Sequence, residues 1–209
     1  MAQVTTGMRA ILSSPVIYEL LQNAMGAKRA REKIVRNYIR PFPGMRILDL
    51  GCGAAEILSF LPDDVDYVGY DISAPYIEAA RRRFAGRGAF HLRMLDEVEA
   101  RTLASFDLVM AIGVLHHLDD EEARALMRVA RAALKPTGRL FTHDPCYAPG
   151  QNPIARFLIS QDRGRNVRDA EGYAALARAE FGAAEGVLSH QAWIPYTHWA
   201  MELVQEMRA

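Results

Sequence analysis

The chain has 209 residues, half of them apolar and 24% charged, with 25 Lys+Arg balanced by 25 Asp+Glu. That length supports one domain with a substantial core, and the balanced charge excludes a global pull onto nucleic acid or an anionic membrane. Two cysteines, Cys52 and Cys146, are too few for a disulfide framework or a four-ligand zinc site, so no metal site is expected and a reducing compartment is. The opening residues "MAQVTTGMRAILSSP" lack the apolar stretch of a signal peptide, and the longest apolar run, "LVMAIGVL", is too short to span a bilayer. A cytoplasmic protein with no membrane partner is the expectation.

In chain order, residues 13 to 40 read as a helical segment with a break at Gly26, so 1–43 is expected to pack on a domain over 44–209. From residue 46, short apolar runs alternate with helical stretches, which predicts an α/β fold with a mostly parallel sheet. The strand-like runs are "MRILDL", "VDYVGYD", "AFHLRML", "FDLVMAI" and "GRLFTHD". Between them, "SAPYIEAARRRF" opens with an N-cap candidate at Ser73. In "DDEEARALMRVARAALKPTG" the spacing of Asp119 and Glu122 predicts a capping box. Ala123, Leu126, Met127, Ala130 and Leu134 form its apolar stripe, with Pro136 and Gly138 as the stop. Residues 147–168 break the rhythm, being rich in Gly, Asn, Pro and Arg, and read as an insertion over the sheet's carboxyl edge. The segment "AEGYAALARAEF" reads as a helix, and "AAEGVLSHQAW" and "YTHWAMELVQ" as two closing strands.

The stretch "RILDLGCGAAEIL" carries the functional signal. Ligands of open parallel sheets lie outside the carboxyl ends of the strands. A Gly-x-Gly there lets the main chain approach a ligand closely, because no Cβ intervenes, although a tight turn without a ligand has the same pattern. Asp71 closes the second strand about 20 residues later, where an acid can accept both hydroxyls of a ribose. Two residues separate a sulfonium nucleoside from a dinucleotide. Glu56 occupies the place where a dinucleotide fingerprint has its third Gly or Ala. Asp49 would repel a pyrophosphate but suits a cationic amino-acid tail.

With "LDLGCG", "VGYDIS", "MLDEVE", "FDLVMAIGVLHHL" and "LKPTGRLFTHDP" together, the sequence resembles the class I S-adenosylmethionine-dependent methyltransferases over about residues 44 to 145. The resemblance implies a doubly wound, mostly parallel seven-stranded sheet, a Rossmann-like fold with an antiparallel last strand and helices on both faces. It implies S-adenosylmethionine as cofactor and S-adenosylhomocysteine as product. Gly51 and Gly53 would lie under the methionine part, with Asp49 holding its ammonium and Cys52 filling the loop. Asp71, beside Ile72, would bind the ribose. Leu95 and Asp96 would contact the adenine, and Ala111 and Ile112 would line the methionine side.

Methyl transfer to a hydroxyl calls for a general base, whereas a neutral amine needs none. His116 and His117 follow the fourth strand and His143 and Asp144 end the fifth, all on the ligand edge. His117 and His143 are therefore the catalytic candidates. A metal held by His116, His117, Asp119 and Asp120 is the weaker reading, since Asp119 already has a capping role. Arg156, Arg163, Arg165 and Arg168 crowd the insertion, and guanidinium groups match carboxylate and phosphate. Arg163 and Arg165, with Tyr18 and Tyr147 as pocket-closing aromatics, are the candidate contacts to an anionic acceptor. No basic stripe with interleaved aromatics points to nucleic acid. The expected activity is methyl transfer to a small molecule. A nicotinamide-dependent oxidoreductase and a non-catalytic cofactor-binding module are the alternatives, and the sequence leaves the acceptor and the oligomeric state open.

Overall fold

A computed structural model describes residues 27–103, 105–162, 164–191 and 196–204. Seven strands form one hydrogen-bonded path: β1 (Arg46–Leu50), β2 (Asp66–Asp71), β3 (Ala89–Leu92), β4 (Phe106–Ile112), β5 (Leu134–Tyr147), β7 (Glu185–Gln191) and β8 (Tyr196–Val204). Their spatial order is β3-β2-β1-β4-β5-β8-β7, and a two-residue strand, β6 (Arg168–Asp169), pairs with the end of β5. Pairing is parallel from β3 to β5. Strand β8 is antiparallel to both β5 and β7. The doubly wound expectation holds, and the reversal of strand order between β1 and β4 opens the crevice where such sheets take ligands.

The helices are α1 (Ala27–Ile34), α2 (Ala74–Arg83), α3 (Glu97–Leu103), α4 (Asp120–Ala133), α5 (Pro153–Ser160) and α6 (Ala170–Phe181). Two apolar clusters cover the sheet's two faces. One joins Leu48, Val109 and Leu140 to Met127, Ala130 and Tyr173. The other joins Ile47, Leu108 and Phe141 to Ile39, Leu58 and Ile77. At β1, buried side chains alternate between the clusters, as the two-residue period of a strand dictates.

The segment 27–39 is tied to the sheet by several contacts. Arg139 Nη2 donates to the carbonyls of Tyr38 and Ile39 at 2.8 and 2.6 Å. The Tyr38 ring stacks on Phe141 at 4.8 Å, and Arg31 ion-pairs with Glu56. The break expected at Gly26 lies outside the described residues.

Several local expectations are corrected. Ser73 stands at the N-cap of α2, but its side chain makes no capping bond. Its backbone N–H instead donates to Asp71 Oδ1 at 2.8 Å. Helix α4 has the capping box of Asp119 and Glu122 and buries Ala123, Met127 and Ala130, yet it ends at Ala133. Leu134 already belongs to β5, with Pro136 and Gly138 inside that strand. Pro136 pushes Lys135, the residue before it, into extended backbone, and Leu134 at the C-cap of α4 is already extended (φ −76°, ψ 144°). Strand β3 stops at Leu92, short of the expected "RML". Helix α3 follows, started by Asp96, whose Oδ1 accepts the Glu99 N–H at 2.8 Å. Residues 147–168 contain α5, opened by Asn152 accepting from Ile154 N, with Pro153 in its first turn.

Candidate active site

The loop after β1 turns on three left-handed residues, Gly51 (φ 75°), Gly53 (φ 55°) and Ala55 (φ 54°). At Gly51 the requirement is steric as well as conformational, because a Cβ would stand 2.6 Å from Val114 Cγ2. Val114 comes from the loop after β4, so the two loops flanking the crevice press together at this glycine. The N–H groups of Gly51 and Cys52 donate to the Tyr70 carbonyl at 2.8 and 3.0 Å. That pair hinges the loop onto the end of β2.

Two carboxylates stand under this loop. Asp49, at the carboxyl end of β1, is 4% exposed, and its Oδ2 accepts the Tyr67 hydroxyl at 2.6 Å. Burial pushes its pKa up to about 7, helped by Asp71 and opposed by the Tyr67 hydrogen bond. Asp71 accepts the Gly53 N–H at 2.9 Å on Oδ2 and the Ser73 N–H at 2.8 Å on Oδ1. Neither carboxylate has an ion-pair partner among the described residues. Burial also pushes the Cys52 thiol far up, with Asp49 and Asp71 adding to it. Cys52 is therefore a neutral filler without thiolate character.

Beyond Asp71 the edge becomes apolar and open. Ile72 is 50% exposed and Met94 65% exposed, with Leu92 beside them as the strand partner of Asp71. Leu95 is buried, and Asp96 caps α3. An apolar shelf next to an acid suits a flat heteroaromatic ring carrying a hydroxyl-bearing group. On the other side Ala111 is buried and Ile112 is half-buried. The Gly113 N–H fixes this side to β5 by donating to the His143 carbonyl at 2.8 Å.

The histidines separate into two environments. His116, 5% exposed, sits between two carboxylates, with Nδ1 2.9 Å from Asp144 Oδ1 and Nε2 3.2 Å from Asp162 Oδ1. His117 is half-buried, its ring 4.0 Å from that of His116. His143 stacks on His198 at 4.5 Å. Burial, together with His198 and Lys33, brings His143 down to about 3, which leaves it neutral and a weak proton acceptor. As strand alternation requires, His143 and Asp144 face opposite sides. The four residues weighed as a metal site do not assemble: Asp119 caps α4 and Asp120 pairs with Arg168. Among the described residues no group of three or more His, Cys, Asp or Glu is placed to hold a metal ion.

The insertion's arginines also differ from one another. Arg168 is a structural clamp, donating to the carbonyls of Leu115, Leu118 and Asn166 and to Asp120. Arg156 lies over the Tyr147 ring at 5.1 Å. Arg165 is exposed, whereas Arg163 and Tyr18 lie outside the described residues. Sequence reasoning missed Tyr67 and Asp162 as site neighbours. Neither carries a local signal, because each matters only through a partner 18 or 46 positions away in sequence.

Known proteins place this arrangement. The matching family model describes a methyltransferase domain and covers residues 48–140. An O-methyltransferase of Pyrenophora dematioidea is 31% identical over 159 residues, 68% of this chain and 59% of that protein. Phosphoethanolamine N-methyltransferase 3 of Arabidopsis thaliana is 30% identical over 146 residues, 65% of this chain and 28% of that protein. The chain thus spans less than two thirds of the length of these relatives. The crystal structure of magnesium protoporphyrin IX methyltransferase from Synechocystis PCC 6803 with bound SAM superposes with a TM-score of 0.62. It is 18% identical and covers 87% of this chain and 81% of that one.

The fold is therefore the Rossmann-like methyltransferase fold. Residues 48–140 match the family model of a methyltransferase domain, in keeping with the resemblance of the motifs to the class I S-adenosylmethionine-dependent methyltransferases. S-adenosylmethionine is the cofactor of that class, and the residues here fit it. They supply two carboxylates without an ion-pair partner among the described residues, a loop with left-handed Gly51 and Gly53, and an apolar edge at Ile72, Leu92 and Met94.

Proposed function

We propose that this protein transfers the methyl group of S-adenosylmethionine to a small-molecule acceptor. The observation that carries the reading is the pair Asp49 and Asp71, two carboxylates beneath a glycine loop with no cationic partner among the described residues. A cationic, ribose-bearing ligand balances both, whereas a dinucleotide pyrophosphate would meet their repulsion. Glu56, at the third glycine position, is committed to Arg31, which argues further against a nicotinamide cofactor. In this reading Asp49 holds the ammonium and Asp71 the ribose hydroxyls. Leu95, Asp96 and Ile72 border the adenine, with Ala111 and Ile112 beside the methionine.

The bound cofactor supplies an electrophilic methyl group on a sulfonium. The chain's own task is to align the acceptor behind it, an effect worth roughly 7–11 kcal/mol in well-oriented systems. His117, on the loop after β4, is retained as the candidate base, since His143 is neutral and a weak acceptor. An anionic acceptor is favoured by the arginine-rich sequence that includes Arg163 and Arg165, together with Tyr147. The names of the relatives, an O-methyltransferase and a phosphoethanolamine N-methyltransferase, support oxygen and nitrogen acceptors alike. Balanced charge and the two cysteines support a small-molecule enzyme of the cytoplasm, and no helix among the described residues is long and apolar enough to cross a membrane.

Thermal unfolding with S-adenosylmethionine, S-adenosylhomocysteine and NADH in parallel tests the proposal. A ligand at 100 times its Kd adds about 2.7 kcal/mol. Stabilisation by the two sulfur nucleosides alone supports the reading, and stabilisation by NADH alone overturns it.

A further inference from the structure

Tyr67 is among the most deeply buried side chains, 1% exposed, with its ring packed 6.0 Å from Phe90. A buried phenol needs a hydrogen-bond partner, and this one donates a hydrogen bond to Asp49 Oδ2 at 2.6 Å. The contact crosses from β2 to β1, where Asp49 pairs with Gly69. Gly69 makes it possible. A Cβ there would stand 2.7 Å from Cys52 Sγ and 3.3 Å from Tyr67 Cε1, so the phenol shares the space that a side chain at position 69 would fill. The second oxygen, Asp49 Oδ1, takes no hydrogen bond among the described residues.

We infer that Tyr67 is a positioning residue for the amino-acid end of the cofactor, holding Asp49 by one oxygen so that the other receives a primary ammonium. This rests on the methyltransferase reading of the site and extends it to a residue that touches no ligand itself. The groups facing Asp49 are Tyr67 and Asp71 from β2 and Cys52 from the loop. Asp71 opposes ionisation of Asp49, and the Cys52 thiol is neutral. Among the described residues Tyr67 thus supplies the one hydrogen bond that favours the carboxylate, and burial keeps its own hydroxyl protonated as a permanent donor. Without that donor, Asp49 holds its proton to a pH above neutrality and no longer attracts an ammonium at neutral pH.

The test compares two probes, S-adenosylhomocysteine and 5′-methylthioadenosine, which shares the nucleoside but lacks the amino acid. Calorimetry on wild type and Tyr67→Phe across about pH 6 to 9 should show three results. The variant binds S-adenosylhomocysteine about tenfold more weakly at neutral pH, a loss of about one pKa unit's worth of interaction. The midpoint of affinity against pH moves upward. Affinity for 5′-methylthioadenosine is unchanged. Equal weakening of both probes, or an unmoved midpoint, overturns the inference and leaves Tyr67 a packing residue. A crystal structure of wild type with S-adenosylhomocysteine is a second check that needs no variant. The amino group should lie within hydrogen-bond distance of Asp49 Oδ1 with Tyr67 still on Oδ2, and an amino group placed elsewhere overturns the inference. Wild type that binds neither probe sinks the methyltransferase reading itself, whereas normal wild-type binding with an indifferent Tyr67→Phe sinks only the role of Tyr67.

Discussion

Nδ1 of His116 lies 2.9 Å from Oδ1 of Asp144 and so joins the loop after β4 to the end of β5. Asp162 meets the other ring nitrogen, and it also accepts the Tyr196 hydroxyl at 2.6 Å and the Gly164 N–H at 2.9 Å. Burial opposes a charge on His116, but the hydrogen bonds to Asp144 and Asp162 overcome it and push the pKa up to about 9. An imidazolium between two carboxylates therefore fastens the chain after α5 onto the sheet. The fit is close: a Cβ at Gly164 would stand 2.5 Å from the His116 carbonyl oxygen.

Replacing His116 by Ala should be severe, because it leaves Asp144 buried beside no cation. Breaking such a pair costs about 3–5 kcal/mol. The denaturant midpoint should fall accordingly, with an unchanged slope. Asp162→Asn keeps the shape and should cost less, about 1–3 kcal/mol. A midpoint for His116→Ala within error of wild type would show that the clasp contributes nothing.

The same residue sets a pH dependence. Its folded pKa of about 9 exceeds the ordinary value of 6.5, so the folded state binds the extra proton between those limits. The contribution of His116 is complete below about pH 6.5 and is lost as the pH rises through about 9. The stability difference between wild type and His116→Gln should therefore shrink across that window. A difference that grows with pH would contradict the protonated clasp.

Gly51→Ala combines a left-handed φ of 75° with a Cβ 2.6 Å from Val114 Cγ2. Strain of this kind costs about 1–3 kcal/mol, or roughly 2–12 °C at about 2–4 °C per kcal/mol in a chain of this size. Binding of S-adenosylhomocysteine should weaken with it. The double variant Gly51→Ala with Val114→Ala relieves the contact but not the backbone strain, so calorimetry should show only partial recovery. Full recovery would mean that φ is not limiting.

The insertion's arginines should divide by role. Arg168→Ala removes the donors to three carbonyls and to Asp120, and should lower stability by about 2–4 kcal/mol, since bonds from a charged donor are worth about 1.5–3 kcal/mol each and are not additive. Proteolysis within 160–168 should quicken. Arg165→Ala, at an exposed position, should stay within about 0.5 kcal/mol of wild type. Under the proposed function it should instead raise the KM for an anionic acceptor while leaving S-adenosylhomocysteine binding alone. Unchanged acceptor kinetics would remove Arg165 from the substrate site.

What the sequence determined by itself is the local part: strand and helix order, the capping box at Asp119 and Glu122, the glycine loop, and acids at the ends of β1 and β2. These are legible because each depends on residues within a few positions, through backbone sterics and hydrophobic period. Local rules failed where two tendencies overlapped, as at Leu134, where a helical stripe meets the extended backbone that Pro136 imposes on the next residue, Lys135. Contacts between elements were decided by the tertiary structure alone. It brought Tyr67 across Gly69 to Asp49, set His116 between Asp144 and Asp162, and made Arg168, one of four arginines in 147–168, a clamp on the loop after β4. Such pairings join side chains from separate strands and loops. Their energies depend on burial and on distances of about 3 Å, which only the packed sheet defines.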